Sequence, residues 1–226
     1  MVPMQKLLLI DWESYETRRM RLIYLNYFLA HTVSDYSFTN PMKLYGEKRF
    51  TELLKHLIWF VLVFLAFSFD VVFTSPINMI IFCSALILHG VIDILRLKKY
   101  NPWIVEGLSL VSFLIFAFVF SNQFVNSYIT SYFSMYLIGM ICVSVIPTQI
   151  MRMTKLIDPL ENESEGISER LAMYIFICAG TYLYALVALL IALIYRLVVR
   201  KQADKTWWLS PLIGLTVPWF FKWIIF

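Results

Sequence analysis

Charge is scarce in this sequence: Asp, Glu, Lys and Arg make up 15% of its 226 residues, against about 25% in a typical soluble domain. Hydrophobic residues make up 60%, more apolar surface than the interior of a water-soluble globule can hide. That combination excludes a soluble enzyme, a disordered chain and an ordinary nucleic-acid binder. Cysteine is scarcer still. Cys83, Cys142 and Cys178 stand singly in apolar stretches, so neither a disulfide framework nor a thiolate zinc site is indicated, and they read as packed, inert thiols. Basic residues are missing altogether from 56–95 and from 100–151. No internal repeat of fixed period is evident. Residues 4–10 are too short for the apolar core of a signal peptide, and Asp11-Trp12-Glu13 follows them without a small-residue cleavage site.

What is present is a series of long apolar runs. Residues 57–75, 77–95, 103–121 and 128–147 each approach the roughly 20 residues a membrane-crossing helix needs. Ser75-Pro76 separates the first two as a tight hairpin, Asn101-Pro102 opens the third, and Pro147 closes the fourth. Residues 171–199 form a longer run with Gly180-Thr181 near its middle. It reads as a tilted helix, a broken helix or a re-entrant hairpin. The last stretch, 207–226, carries Pro211, Pro218, Lys222 and four interfacial tryptophans, Trp207, Trp208, Trp219 and Trp223. The fold expected is an all-α, polytopic membrane bundle of about five to seven embedded helices in one domain, 1–226. Its parts are an interfacial segment (1–19), a His/Asp motif region (20–110), the remainder of a helical hairpin (111–150), an acidic loop (151–170) and C-terminal helices (171–226). The sequon Asn162-Glu163-Ser164 falls in that loop and carries no meaning on the cytoplasmic side.

The 19 Lys and Arg residues gather in a few places. The turns near 75–77 and 121–128 have none, so the positive-inside rule puts those turns outside and the basic loops in the cytoplasm. Residues 20–38 are the exception. Basic clusters flank them on both sides, and Asn26, His31, Ser34 and Asp35 are costly in hydrocarbon. A re-entrant or half-buried first helix satisfies both facts.

All three histidines lie in the first half. His31 and Asp35 are four residues apart, as are His89 and Asp93, so each pair shares one helix face. His56 heads the first clear span, and Glu106 lies near the start of the third. The topology brings these groups to the cytoplasmic boundary. Three imidazoles and two or three carboxylates at one depth suit a divalent metal such as zinc, manganese or iron. His31, Asp35, His56, His89 and Asp93 are the candidate ligands and Glu106 the candidate general base. Asp70, nearer the outer boundary, reads as an interfacial residue.

Leu29-Ala30-His31-Thr32-Val33-Ser34-Asp35-Tyr36, Leu54-Lys55-His56-Leu57-Ile58 and Leu88-His89-Gly90-Val91-Ile92-Asp93-Ile94-Leu95-Arg96-Leu97 resemble a bacterial membrane family known as domain of unknown function 3307. That family carries an Ala-His-x-x-x-Asp segment, a histidine at the head of the next span, and a His-x-x-Ile-Asp segment followed by basic residues. Its Asp-Gln-x-x-His helix is met here by Val105-Glu106-Gly107-Leu108-Ser109-Leu110, which keeps a carboxylate and replaces the histidine with Leu110. Gly166-Ile167-Ser168-Glu169-Arg170-Leu171 is similar to its Gly-x-x-Glu-Arg-Leu segment, and Gly180-Thr181-Tyr182 and Arg196 fall in step, whereas Ala192-Leu193 replaces a Lys-Ser pair. The resemblance implies a multi-pass protein of the bacterial inner membrane, without an assigned activity. A looser likeness is to membrane-bound metal-dependent hydrolases that use His-x-x-x-Asp helices.

Three functions compete. The first is a membrane-embedded metal-dependent hydrolase of a lipid or lipid-linked phosphoester, its basic loops drawing anionic headgroups from the bilayer. The second is an ion or small-solute transporter or channel that uses the His/Asp cluster as its path. The third is a structural or signalling protein in which the cluster is helix glue. Lipid is the expected partner and nucleic acid is not; a homo-oligomer is left open.

Overall fold

A computed structural model describes residues 23–37, 40–45, 49–158, 164–199 and 208–226. The expectations for the first 19 residues and for the sequon at Asn162 lie outside the described residues. The described chain is all-α, a bundle of helices without a strand among the described residues. Four of its helical segments are long and apolar enough to cross a membrane: Pro76–Leu97, Pro102–Val119, Ser131–Met153 and Tyr182–Val199.

The first helix, α1 (Asn26–Thr32), is short and lies inside the bundle. Asn26, Tyr27, Leu29, Ala30, His31 and Thr32 are all buried. It loosens into a π turn over Val33–Ser37, and a 3-10 turn at Pro41–Tyr45 follows. The first helix is therefore short and enclosed by the rest of the bundle. Tyr27 and Ala30 pack with Phe60, Phe64, Phe82, Phe113 and Phe124. Leu29, Val33 and Tyr36 pack with Ile138, Ile141, Tyr174 and Phe221. One short helix thus joins the two apolar cores.

The second helix, α2 (Arg49–Ala66), departs from the span expected over 57–75. It starts earlier and stops at Ala66, where Ser68 turns its hydroxyl back onto the Phe64 carbonyl. A single turn, α3 (Phe69–Val72), completes the run. Asp70 accepts a hydrogen bond from the Tyr128 amide at 2.8 Å and so ties two turns together at this end of the bundle. Ser75 caps α4 (Pro76–Leu97) by accepting from Asn78 N at 3.2 Å, with Pro76 in the first turn where no amide is needed. The α4 helix is polar inside and apolar outside. Phe82, Ala85, His89, Ile92, Asp93 and Arg96 are buried, while Ile77, Ile80, Ile87, Val91 and Ile94 are exposed on the other face. This inverted pattern suits a helix whose solvent is lipid.

A tight turn then reverses the chain. Lys99 takes the left-handed conformation (φ 58°), and its amide donates to Arg96 O at 2.9 Å, closing α4. Asn101 caps α5 (Pro102–Val119) by accepting from Trp103 N at 3.0 Å. Ile104, Leu108, Val111, Ile115 and Phe118 give α5 an exposed apolar stripe at helical spacing.

The helix α6 (Ser131–Ser144) does not end the fourth run at Pro147. The chain restarts as α7 (Ile146–Met153) with Pro147 at its first turn, so the pair spans 23 residues. Pro147 sits in the first turn of the new helix, where no amide is needed and a proline is tolerated.

The long 171–199 run is a hairpin. The first arm, α8 (Ser164–Cys178), ends at Gly180, whose φ of 75° is left-handed. Gly180 N donates to Ile177 O at 3.1 Å and Thr181 N to Phe176 O at 2.9 Å, a Schellman closure. The second arm, α9 (Tyr182–Ile194, continued by a π turn to Val199), folds back, so that Arg196 reaches Glu169 at 2.8 Å. Helix α10 (Leu209–Ile225) packs against α8 and α6. Arg170, fully buried, joins three elements by donating to Ser144 O at 2.7 Å, to Thr148 Oγ1 and to Ser210 Oγ.

Candidate metal centre

Five helices or turns bring the ionisable groups of the first half to one point. The α1 helix and its π turn supply His31, Asp35 and Tyr36; α2 supplies His56; α4 supplies His89, Asp93 and Arg96; α5 supplies Glu106 and Ser109. His31, Asp35, His89, Asp93, Arg96 and Ser109 are fully buried, and His56 and Glu106 nearly so. The four-residue spacings predicted from sequence place His31 Nδ1 3.7 Å from Asp35 Oδ2, and His89 Nε2 3.1 Å from Asp93 Oδ2.

The innermost set is His56, His89, Asp35 and Asp93. The two Nε2 atoms of His56 and His89 face each other at 3.0 Å. Asp35 Oδ1 is 3.4 Å from His56 Nε2 and 3.6 Å from His89 Nε2. Asp93 Oδ1 is 3.6 Å from His56 Nε2. Four ligand atoms bound tetrahedrally at about 2.0 Å from a zinc ion lie roughly 3.3 Å apart. His56 Nε2, His89 Nε2 and Asp35 Oδ1 lie 3.0–3.6 Å apart, the spacing of such ligands, and Asp93 approaches His56 with Oδ1 and His89 with Oδ2. Two overlapping triads, His56–His89–Asp93 and His31–Asp35–His89, satisfy metal-ligand spacing.

Ring planes are fixed by stacking. His89 lies on Phe60 at 3.5 Å with the planes 14° apart, and His31 lies on Phe113 at 4.0 Å and 8°. His31 Nε2 meets Ser109 Oγ at 2.8 Å. His31 Nδ1, His89 Nδ1 and Asp93 Oδ2 are buried without a hydrogen-bond partner. Of these, Asp93 Oδ2 belongs to the innermost set, and an orphaned buried oxygen there is one that a ligand would satisfy.

Arg96 organises the carboxylates. Its NH2 donates to Asp35 Oδ2 at 2.7 Å and its NH1 to Asp93 Oδ1 at 2.8 Å. Its Nε donates to Glu106 Oε1 at 2.9 Å and its NH2 also reaches Glu106 Oε2 at 2.8 Å. Asp35 therefore spends Oδ2 on the guanidinium and turns Oδ1 towards both histidines, whereas Asp93 gives the guanidinium Oδ1, the atom that also lies 3.6 Å from His56 Nε2, and turns Oδ2 towards His89. Glu106 also accepts from the Tyr36 hydroxyl at 2.9 Å. With both oxygens occupied, Glu106 holds Arg96 in place and does not face the histidine nitrogens. This placement does not suit the general-base role expected from sequence.

Arg96, Tyr36 and Ser109 were not among the residues singled out from sequence. Arg96 carried one signal, its three-residue spacing from Asp93, which puts the two side by side on a helix face. Counting neutral histidines, the three carboxylates outweigh the single guanidinium by two negative charges. Buried charge of that size needs compensation, of the amount that a divalent cation held by these groups would supply.

A cavity of about 240 Å³, lined by Asn40, Lys43, Leu44, Glu52, Lys55, His56 and Trp59, touches the cluster at His56. On the other flank an apolar groove of about 190 Å³ between α5 and α7 reaches Tyr36 and Glu106. Comparison with family models, curated proteins and solved structures gives no match for this chain.

Proposed function

We propose that this protein is a membrane-embedded, divalent-metal-dependent hydrolase working at the headgroup level of the cytoplasmic leaflet on a lipid or lipid-linked phosphoester. The observation that carries the reading is the cluster of His56 Nε2, His89 Nε2, Asp35 Oδ1 and Asp93, with N–N and N–O separations of 3.0–3.6 Å in a buried site. Zinc, manganese or iron suits these nitrogen and carboxylate donors. The depth fits a headgroup substrate. Asp93 lies five residues, about 8 Å of helix, before the basic pair Lys98 and Lys99, and Trp59 and Trp103 are half-exposed near the same end.

A divalent cation held by His56, His89, Asp35 and Asp93 would supply Lewis acidity and would acidify water. The chain's own residues do the rest. Arg96 holds Asp35 and Asp93 with one oxygen each turned inward, and Glu106 with Tyr36 fixes Arg96. Phe60 and Phe113 exclude water from two sides and set the imidazole planes. His31 is the proton acceptor this arrangement favours. Its Nε2 lies 2.8 Å from Ser109 Oγ and its Nδ1, 3.7 Å from Asp35 Oδ2, has no hydrogen-bond partner.

The test is hydrolysis by the purified protein in nanodiscs containing a phosphomonoester or isoprenyl-diphosphate lipid, read as phosphate release with and without added zinc or manganese. Metal-dependent release that His89→Ala abolishes is the expected result. A metal-loaded, folded protein that releases nothing from either lipid overturns the hydrolase reading.

A further inference from the structure

The polar cavity beside His56 has chemistry of its own. Lys43 comes from the 3-10 turn and Lys55 from α2, so two elements present ammonium groups to one space. Lys55 is 64% exposed and pairs with Glu52 at 3.0 Å, so the lining keeps a net positive charge through Lys43. Trp59 forms a wall and is half-exposed, as an indole at the membrane interface is. His56 closes the inner end, and its Nε2 belongs to the ligand cage. The cavity thus runs from a basic, solvent-reaching mouth to His56, behind which lie the carboxylates of Asp35 and Asp93.

That gradient selects one class of ligand. A cation would be drawn to the inner carboxylates but repelled at the mouth by Lys43. An oxyanion matches the mouth, and the inner charge no longer opposes it once a divalent cation has neutralised the cluster. From this we infer that the cavity is a phosphate-binding vestibule, in which Lys43 and Lys55 hold a phosphate oxyanion at the mouth beside His56. The inference rests on the metal-hydrolase reading for its purpose, but the binding it assigns to the lysines does not require turnover. Glu52 acts as a competitor that occupies Lys55 until the oxyanion arrives.

The experiment measures binding of inorganic phosphate to the full-length protein in phosphatidylcholine nanodiscs by calorimetry, as purified and after adding zinc. Lys43→Gln and Lys55→Gln are each expected to weaken binding about tenfold, as loss of one charge-assisted hydrogen bond does. Lys43→Arg restores it, and metal content stays at the wild-type level in all three variants. Discs that include phosphatidic acid separate the two sources of this chemistry. Competition with inorganic phosphate assigns the vestibule to a lipid headgroup, and its absence, with binding intact, assigns it to a soluble phosphate ester; both support the vestibule. No phosphate binding in either metal state, or binding unchanged in both lysine variants, overturns it. A wild-type protein that takes up no metal yet binds phosphate through Lys43 overturns the hydrolase reading and leaves the vestibule standing.

Discussion

At the scale of single residues, Arg96 has the largest energetic role. It is buried among Asp35, Asp93 and Glu106 at 2.7–2.9 Å. Breaking a buried ion pair from one side leaves uncompensated charge and costs about 3–5 kcal/mol. Arg96→Met is therefore expected to lower the thermal unfolding temperature of the detergent-solubilised protein sharply. Arg96→Lys is expected to recover little, because a point charge cannot satisfy three carboxylates in a planar fork; a wild-type unfolding temperature in either variant would refute this role. His31 behaves differently. His31→Gln is expected to keep the metal while turnover falls roughly 10²–10⁴-fold, the usual worth of a general base, and loss of metal from that variant would make His31 a ligand instead. The sequence made the histidines and aspartates legible because their type is costly in a membrane and their spacing is helical. Arg96 was not legible as the hub, since its partners Asp35 and Glu106 lie 61 and 10 residues away, and only the fold brings them into the fork.

At the scale of elements, close approach between helices depends on a few glycines. A Cβ at Gly139 of α6 would lie 2.5 Å from Tyr174 Oη and 2.7 Å from Phe221 Cδ1. Gly139→Ala is expected to destabilise the packing of α6, α8 and α10 by about 1–3 kcal/mol, the usual cost of overpacking, with metal content unchanged; thermal unfolding and metal analysis on the same sample check both. The hairpin of α8 and α9 turns on Gly180 at φ 75°. From sequence, Gly180-Thr181 left a tilted, a broken or a re-entrant helix open. The choice is made by tertiary contacts, above all Arg196 with Glu169 and Lys222 Nζ with the Ile177 carbonyl at 2.9 Å, which a local reading cannot see. The same holds for Pro147. A proline ends a helix or opens the next one, and only the continuation through Met153 decides between them. Where a turn residue carried its own instruction, as Ser75-Pro76 and Asn101-Pro102 do, the sequence located the helix start to within a residue.

At the scale of the whole molecule, the bundle is arranged inside out, with ionisable groups in its core and isoleucine, leucine and phenylalanine stripes on its surface. The scarcity of charge that marks the sequence is thereby concentrated into one site and a few basic loops. The positive-inside reading puts the Lys98–Lys99 turn and the 121–128 turn on opposite sides. In a background where Cys83, Cys142 and Cys178 are serine, a membrane-impermeant maleimide should label Lys99→Cys only from the cytoplasmic side and Asn126→Cys only from the other; the reverse pattern would place the site in the outer leaflet. The central claim is that the buried His/Asp cage holds a divalent cation, and elemental analysis of the purified, chelator-free protein tests it most directly. One zinc, manganese or iron per chain is expected, lost in both His89→Ala and Asp35→Asn while each remains folded. A folded wild-type protein that stays metal-free after incubation with each of these ions would contradict it and leave the cluster as a polar clasp between helices.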